Sequence, residues 1–188
     1  YKNEFPRGIW GDEISTPFIC ACERGRMDDV EQFINLHRFH AYIDIDTADA
    51  GMDIQTMVSQ LGYNSDGWNY APLMVAAKNE HINILEYLLQ YDVDVSITNS
   101  SGWNALHYAA WRNRTNTNII QLLLNKMSLN DINHKDNNGW TPLDHAYYND
   151  SSIEQDIIKL IRKHKGKADR HDKNGEYVGE GNGDLNEQ

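Results

Sequence analysis

Histidines, cysteines and clustered carboxylates hold metals and move protons, and this chain carries several at short spacing. His37 and His40 stand three apart, which puts both on one face of a helix, but no Cys, His or carboxylate cluster completes a four-ligand zinc set. Cys20 and Cys22 form a Cys-x-Cys pair, too close for a useful staple and too few for a disulfide framework. Asp44, Asp46, Asp49 and Asp53 have the look of a calcium loop. An EF-hand needs oxygens at positions 1, 3 and 5, Gly at 6 and Glu at 12. Counted from Asp44, those last three places hold Ala48, Asp49 and Gln55, so the ligand set fails, and Asp172-Lys173-Asn174-Gly175 fails similarly. No Gly-rich phosphate loop follows a strand, and no Gly-x-Ser-x-Gly or Ser/His/Asp order is present. The expectation is a chain with no catalytic residues, no metal site and no cofactor, and not an enzyme.

The 188 residues suit one domain or one short solenoid, and 40% of them are hydrophobic, enough for a core. The net charge of −11 repels phosphate backbones, which argues against nucleic acid and for a protein partner with a basic surface. No run approaches the ~20 apolar residues of a membrane span, so no membrane insertion is expected. Two cysteines and no signal-peptide pattern point to a reducing compartment, hence an intracellular protein, cytoplasmic or nuclear. A monomer is expected. The chain starts at Tyr1 without a methionine, which reads as a fragment of something longer.

Positioning elements emerge from internal repetition. Asp66-Gly67-Trp68, Ser101-Gly102-Trp103 and Asn138-Gly139-Trp140 recur, with 35 residues from Gly67 to Gly102 and 37 from Gly102 to Gly139. Each is followed by a short motif: Ala71-Pro72-Leu73, Asn104-Ala105-Leu106-His107 and Thr141-Pro142-Leu143-Asp144, with an earlier copy at Thr16-Pro17-Phe18. A polar break and an amphipathic helix come next, with apolar faces at Met27/Val30/Phe33/Ile34, Ile84/Leu85/Leu88/Leu89, Ile119/Ile120/Leu123/Leu124/Met127 and Ile157/Ile158/Ile161. Thr or Asn caps the first helix, and Pro is tolerated in its first turn. Gly67, Gly102 and Gly139 sit where a tight turn needs positive φ.

This pattern resembles the ankyrin repeat, with its period of about 33 residues and its Thr-Pro-Leu-His-x-Ala signature. The resemblance covers roughly residues 15–165 and implies an all-α α-solenoid. That fold is an ankyrin-repeat stack of helix-turn-helix units with β-hairpin-like loops. The boundaries read as a capping arm at 1–14, a repeat domain at 15–167 with repeats near 15–37, 66–99, 101–135 and 138–165, and a polar tail at 168–188 expected to be disordered. One long insertion, about 38–63, separates the first and second repeats, and Met52–Leu61 within it suits a short helix. The loops Arg112–Asn118 and Tyr148–Asp156 replace the usual tight inter-helix turn.

The resemblance also implies a protein-interaction module, acting as scaffold, adaptor or inhibitor. Its partner would bind on a concave aromatic groove built from hairpin tips and first helices. The alternative is a regulatory or targeting segment of a larger enzyme or channel. Carried over by position, the partner-binding residues are Trp68, Tyr70, Lys78, Asn79, Ser100, Trp103, Trp111, Arg112, Asn137, Trp140 and Tyr148. Trp68, Trp103 and Trp140 should form a ladder. Removing Trp103 and Trp111 together is expected to abolish binding and leave the fold intact. His107 and His81 take the places of family histidines that bond within the stack, and Cys20 and Cys22 take buried small-residue places.

Overall fold

A computed structural model describes residues 15–43, 58–59, 62–63, 69–115, 117–149, 151–171 and 174–178. The expected arm at 1–14, Trp68 and the four aspartates from 44 to 53 lie outside them. The chain divides into two units, Tyr1–Asp94 and Val95–Gln188.

In the first unit, α1 (Ser15–Glu23) turns into α2 (Met27–Ile43). Gly25 makes that turn at φ +70°. Phe18, Ile19, Ala21 and Cys22 of α1 and Val30 and Ile34 of α2 are fully buried, while Cys20, expected to be buried, is only partly so. The strands β1 (Gly62–Tyr63) and β2 (Asn69–Tyr70) pair antiparallel, Gly62 opposite Tyr70. They lead into α3 (Pro72–Lys78) and α4 (Ile82–Leu88). Of the expected insertion helix, residues 58–59 are helical, and Val58 is buried. α3 has no hydroxyl to cap it, because Ala71 stands in the Thr place; Met74 Sδ accepts the Ala71 N–H instead, at 3.4 Å. Ala76 and Ala77 let α3 lie close against α1 and α4. His81 Nε2 lies 2.8 Å from the Glu23 carbonyl, tying the first helix pair to the second.

The second unit holds α5 (Ala105–Arg112), α6 (Asn118–Lys126), a single turn α7 (Leu129–Ile132), α8 (Pro142–Ala146) and α9 (Glu154–Lys163). α5 is capped by Asn104, whose Oδ1 accepts the N–H groups of Leu106 and His107 at 3.1 Å. α8 is capped by Thr141, whose Oγ1 accepts from Asp144 N–H at 3.2 Å. Ala109 and Ala110 bring α5 against α8. Ile120 and Leu123 of α6 and Ile157 and Ile161 of α9 fill the space behind them. Each such side chain contributes about 2 kcal/mol on burial, and one helix pair holds too few of them to stand alone.

The same hairpin turn precedes both helix pairs. Asn99 Oδ1 accepts from Ser101 and Trp103 N–H, and Asp136 Oδ1 accepts from Asn138 and Trp140 N–H. Gly102 and Gly139 both sit at φ +79°. A side chain at Gly102 would also meet the Asn137 backbone nitrogen at 2.9 Å.

Of the tail expected to be disordered at 168–188, residues 168–171 and 174–178 are described and depart from that expectation, while the others lie outside the described residues. Residues 167–171 and 174–178 fold back on α8: the Lys167 carbonyl accepts from Thr141 Oγ1 at 2.7 Å, and His171 pairs with Tyr177 in an antiparallel bridge. Gly175 turns at φ +85°. It lies 36 residues after Gly139, in step with the earlier spacings of 35 and 37. The segment is thus a further hairpin of the repeat. Its polar composition hid that, because hairpins bury backbone hydrogen bonds rather than apolar side chains.

Candidate functional site

The sequence-selected residues divide between the units. In the first, Lys78 donates from Nζ to the Tyr70 hydroxyl at 2.9 Å and lies 4.7 Å from the Tyr70 ring centre. Tyr70 is only 6% exposed. Its placement among partner contacts is therefore corrected: β2 turns the ring inward, and Lys78 covers it. Asn79 is exposed and its amide donates back to Val75.

In the second unit, Trp103, Trp111, Arg112, Trp140 and Tyr148 come together. Trp103 meets Trp111 edge-on at 5.5 Å between ring centres, and the Arg112 guanidinium lies 4.9 Å from the Trp111 ring centre. Trp140 stacks at a tilt on Tyr148 at 4.9 Å. Trp111 and Tyr148 reach solvent, at 36% and 51% exposure. Ser100 and Asn137 are exposed hairpin tips stitched together: the Asn137 amide donates to the Ser100 carbonyl at 2.8 Å.

The expected ladder differs in one respect. Between Trp103 and Trp140 sits His145, 4.2 Å from the first indole and 5.3 Å from the second. Trp103 also contacts His107 and Tyr108, and is half-buried. Trp103 therefore belongs partly to the interior. Its replacement reaches the packing, which corrects the expectation that the Trp103/Trp111 double variant spares the fold.

His145, His171, Asp136, Asp144, Arg170 and Tyr177 were not singled out by sequence. His145 Nε2 lies 2.9 Å from Asp136 Oδ2. Burial holds His145 below its ordinary pKa, against the pull of the Asp136 carboxylate. For Asp136, burial alone raises the pKa, but N–H groups of Trp140 and Asn138 and the His145 ring outweigh it and hold the carboxyl low. Asp144 behaves alike, its burial outweighed by donors from Thr141, Asp169, His171 and Arg170. His107 is pushed down to about 3, chiefly by burial and then by His145. Its Nε2 lies 3.2 Å from the Trp140 carbonyl, a bond between consecutive repeats, in keeping with the family place it occupies. These buried imidazoles join neighbouring hairpins and helices through their hydrogen bonds. Cys22 is buried and its thiol pKa is raised by that burial, so it is not a ready nucleophile.

The signal for the missed residues was periodic. The spacing from Gly139 to Gly175 places His171 and Tyr177 in a hairpin, and His145 follows a repeat motif directly. Among the described residues no group of three or more His, Cys, Asp or Glu side chains is arranged to hold a metal ion, and no helix is long and apolar enough to cross a membrane.

Stacked helix pairs and hairpins of fixed spacing define a repeat protein. A family model of ankyrin repeats matches in three copies, at residues 8–99, 47–130 and 73–174. The chain belongs to the ankyrin-repeat family, and its repeats are a non-catalytic protein-interaction module. It is 26% identical over 185 residues to the Palmitoyltransferase AKR1 of Lachancea kluyveri, in an alignment covering 87% of this chain and 24% of that protein. The chain thus spans only 24% of that relative's length.

Proposed function

We propose that the second unit binds its partner protein on the aromatic strip formed by Trp111, Arg112, Trp140 and Tyr148, with the hairpin tips Ser100 and Asn137 beside it. The observation that carries this is Trp111: a large indole, solvent-exposed, braced by Trp103 and overlaid by Arg112. A braced aromatic loses little side-chain freedom on binding, and Trp and Arg dominate measured hot spots. Lys78 and Asn79 are offered as contacts of the first unit. The net charge of −11 favours a partner whose surface is basic overall. The chain acts by binding as an intracellular monomer, cytoplasmic or nuclear, and carries no catalytic step of its own.

The test is Trp111→Ala, measured by calorimetric titration against a partner first identified by crosslinking in cells of the source organism. Affinity should fall at least about thirtyfold, as for a hot spot of ~2 kcal/mol, with a melting temperature lowered by no more than about 4 °C. Unaltered affinity sinks the reading.

A second reading is a regulatory or targeting segment of a larger enzyme. The similarity to 24% of a palmitoyltransferase favours it. A full coding sequence without a catalytic domain would remove it.

A further inference from the structure

A cleft of about 620 Å³ opens beside the aromatic strip, lined by Asn137, Asn138, Gly139, Trp140, Arg170 and Tyr177. It joins the fourth repeat's hairpin to the C-terminal one. Arg170 crosses it. Its backbone N–H is fixed on Asp144 Oδ1 at 2.8 Å, and its Nη2 donates to the Asn138 carbonyl at 2.8 Å. Gly139 makes room for this, since a Cβ there would lie 2.9 Å from Nη2. The residue is therefore held at its backbone and at one guanidinium nitrogen. Nη1 is shielded from solvent and meets no acceptor. Among the described residues no carboxylate pairs with the Arg170 side chain. Asp136 is engaged by His145 and two turn N–H groups, Asp144 by donors of four residues, and Asp169 by Lys135.

We propose that this cleft receives a carboxylate side chain of the partner protein, Asp or Glu, flanked by an apolar residue. A carboxylate accepts a charge-assisted hydrogen bond from the guanidinium and balances its charge. Nη2 has spent one hydrogen on Asn138, which leaves its second for the ligand, while Nη1 lies behind it out of reach of solvent. The Trp140 and Tyr177 rings, 6.2 Å apart between centres and tilted by 37°, form apolar walls for the neighbouring side chain. Among the described residues the cleft lining contains one cation, which balances a carboxylate and leaves a phosphate dianion half-neutralised. On an acidic chain such a cationic spot sets the register of a mainly basic partner, because one acidic residue must find it. The proposal rests on the binding reading above and names the chemistry recognised at one end of that strip.

The probe is a short blocked peptide with a central Leu-Glu, compared with its Leu-Gln counterpart, titrated into the full chain and followed by amide and indole NMR. The Leu-Glu peptide should shift the Arg170 Nε–H and Trp140 indole signals saturably and bind about tenfold tighter than Leu-Gln, the size of a charge-assisted bond. Arg170→Gln should bind both peptides alike while keeping the remaining spectrum, since the bond to Asp144 uses the backbone. Equal binding of the two peptides to the wild type, shifts confined to other residues, or a preference that survives Arg170→Gln overturns the proposal. Trp111→Ala separates the two readings. If it leaves partner affinity unchanged while the Leu-Glu peptide still titrates, the strip reading falls and the cleft stands; if it weakens the partner and the peptides do not differ, the reverse holds.

Discussion

The third and fourth repeats solve one structural problem with opposite chemistry. At the fourth place of the capping motif, the third repeat has His107 and the fourth has Asp144. His107 reaches forward to a carbonyl, Trp140, at 3.2 Å. Asp144 reaches forward to donors: the N–H groups of Asp169 and Arg170 at 3.0 and 2.8 Å, and His171 Nδ1 at 3.0 Å. Both also serve their own helix start, His107 Nδ1 accepting from the Asn104 N–H and Asp144 Oδ2 from the Thr141 N–H. In these two repeats the position carries a buried polar link to the next hairpin, with the direction of the hydrogen bond following the group that hairpin presents, whereas the first two repeats hold the buried apolar Ile19 and Met74 there.

The largest test of this comparison is Asp144→Ala, which strands the donors of four residues. Urea unfolding should show a loss of about 4 kcal/mol, the scale for breaking a buried charged network, and amides of residues 167–171 and 174–178 should exchange with solvent far faster. If Asp144→His proves as stable as the wild type, the polarity argument fails, because a histidine cannot accept from three donors at once.

Next come the two indoles attached to these repeats. Trp103→Ala should lower stability by about 2–3 kcal/mol, since a half-buried ring is removed from His145, His107 and Tyr108. Trp111→Ala should cost less than about 1 kcal/mol, as for a side chain largely at the surface. Equal losses in thermal unfolding would erase the division between packing and contact residues.

The pH dependence reports the buried histidines His107 and His145, both held below their ordinary pKa. His107 has a folded pKa of about 3 against an ordinary 6.5. The unfolded chain then binds the extra proton in the interval between them, so stability rises with pH there. The contribution is whole above pH 6.5 and is lost progressively as pH falls toward 3, at up to ~1.4 kcal/mol per pH unit. Asp136 and Asp144, also held low, add to the acid loss further down as the pH falls through their folded values. His107→Gln should reduce the slope at the upper end of the curve, near about pH 5–6.5, leaving the part due to His145, measured as urea midpoints; an unchanged slope assigns the effect elsewhere.

The smallest effect is a control in the first unit. Gly25 and Glu80 occupy equivalent inter-helix turns, at φ +70° and +59°. Only the glycine adopts that region without strain, so Glu80→Gly should raise stability by about 1 kcal/mol in urea unfolding.

The helix pairs were legible in the sequence because apolar spacing, Pro after a capping residue and Gly at positive φ are local requirements. Four motifs in phase left little else for the chain to build. The contact residues were less completely legible: Trp111 and Tyr148 lie at the surface where the repeat position put them, whereas Tyr70 turned inward under Lys78. The hairpin around Gly175 went unread although its glycine kept the period, since composition alone hides a segment held by hydrogen bonds.

From the sequence alone followed the repeat, its capping chemistry and the residue types available for binding, because each depends on neighbours a few positions away. Tertiary structure alone decided that His145 would come between Trp103 and Trp140, that Asp144 would hold the C-terminal segment, and that Arg170 would lie across the Trp140 cleft. Those outcomes depend on residues about 26 to 42 positions apart in the chain, whose distances exist only once successive repeats have packed.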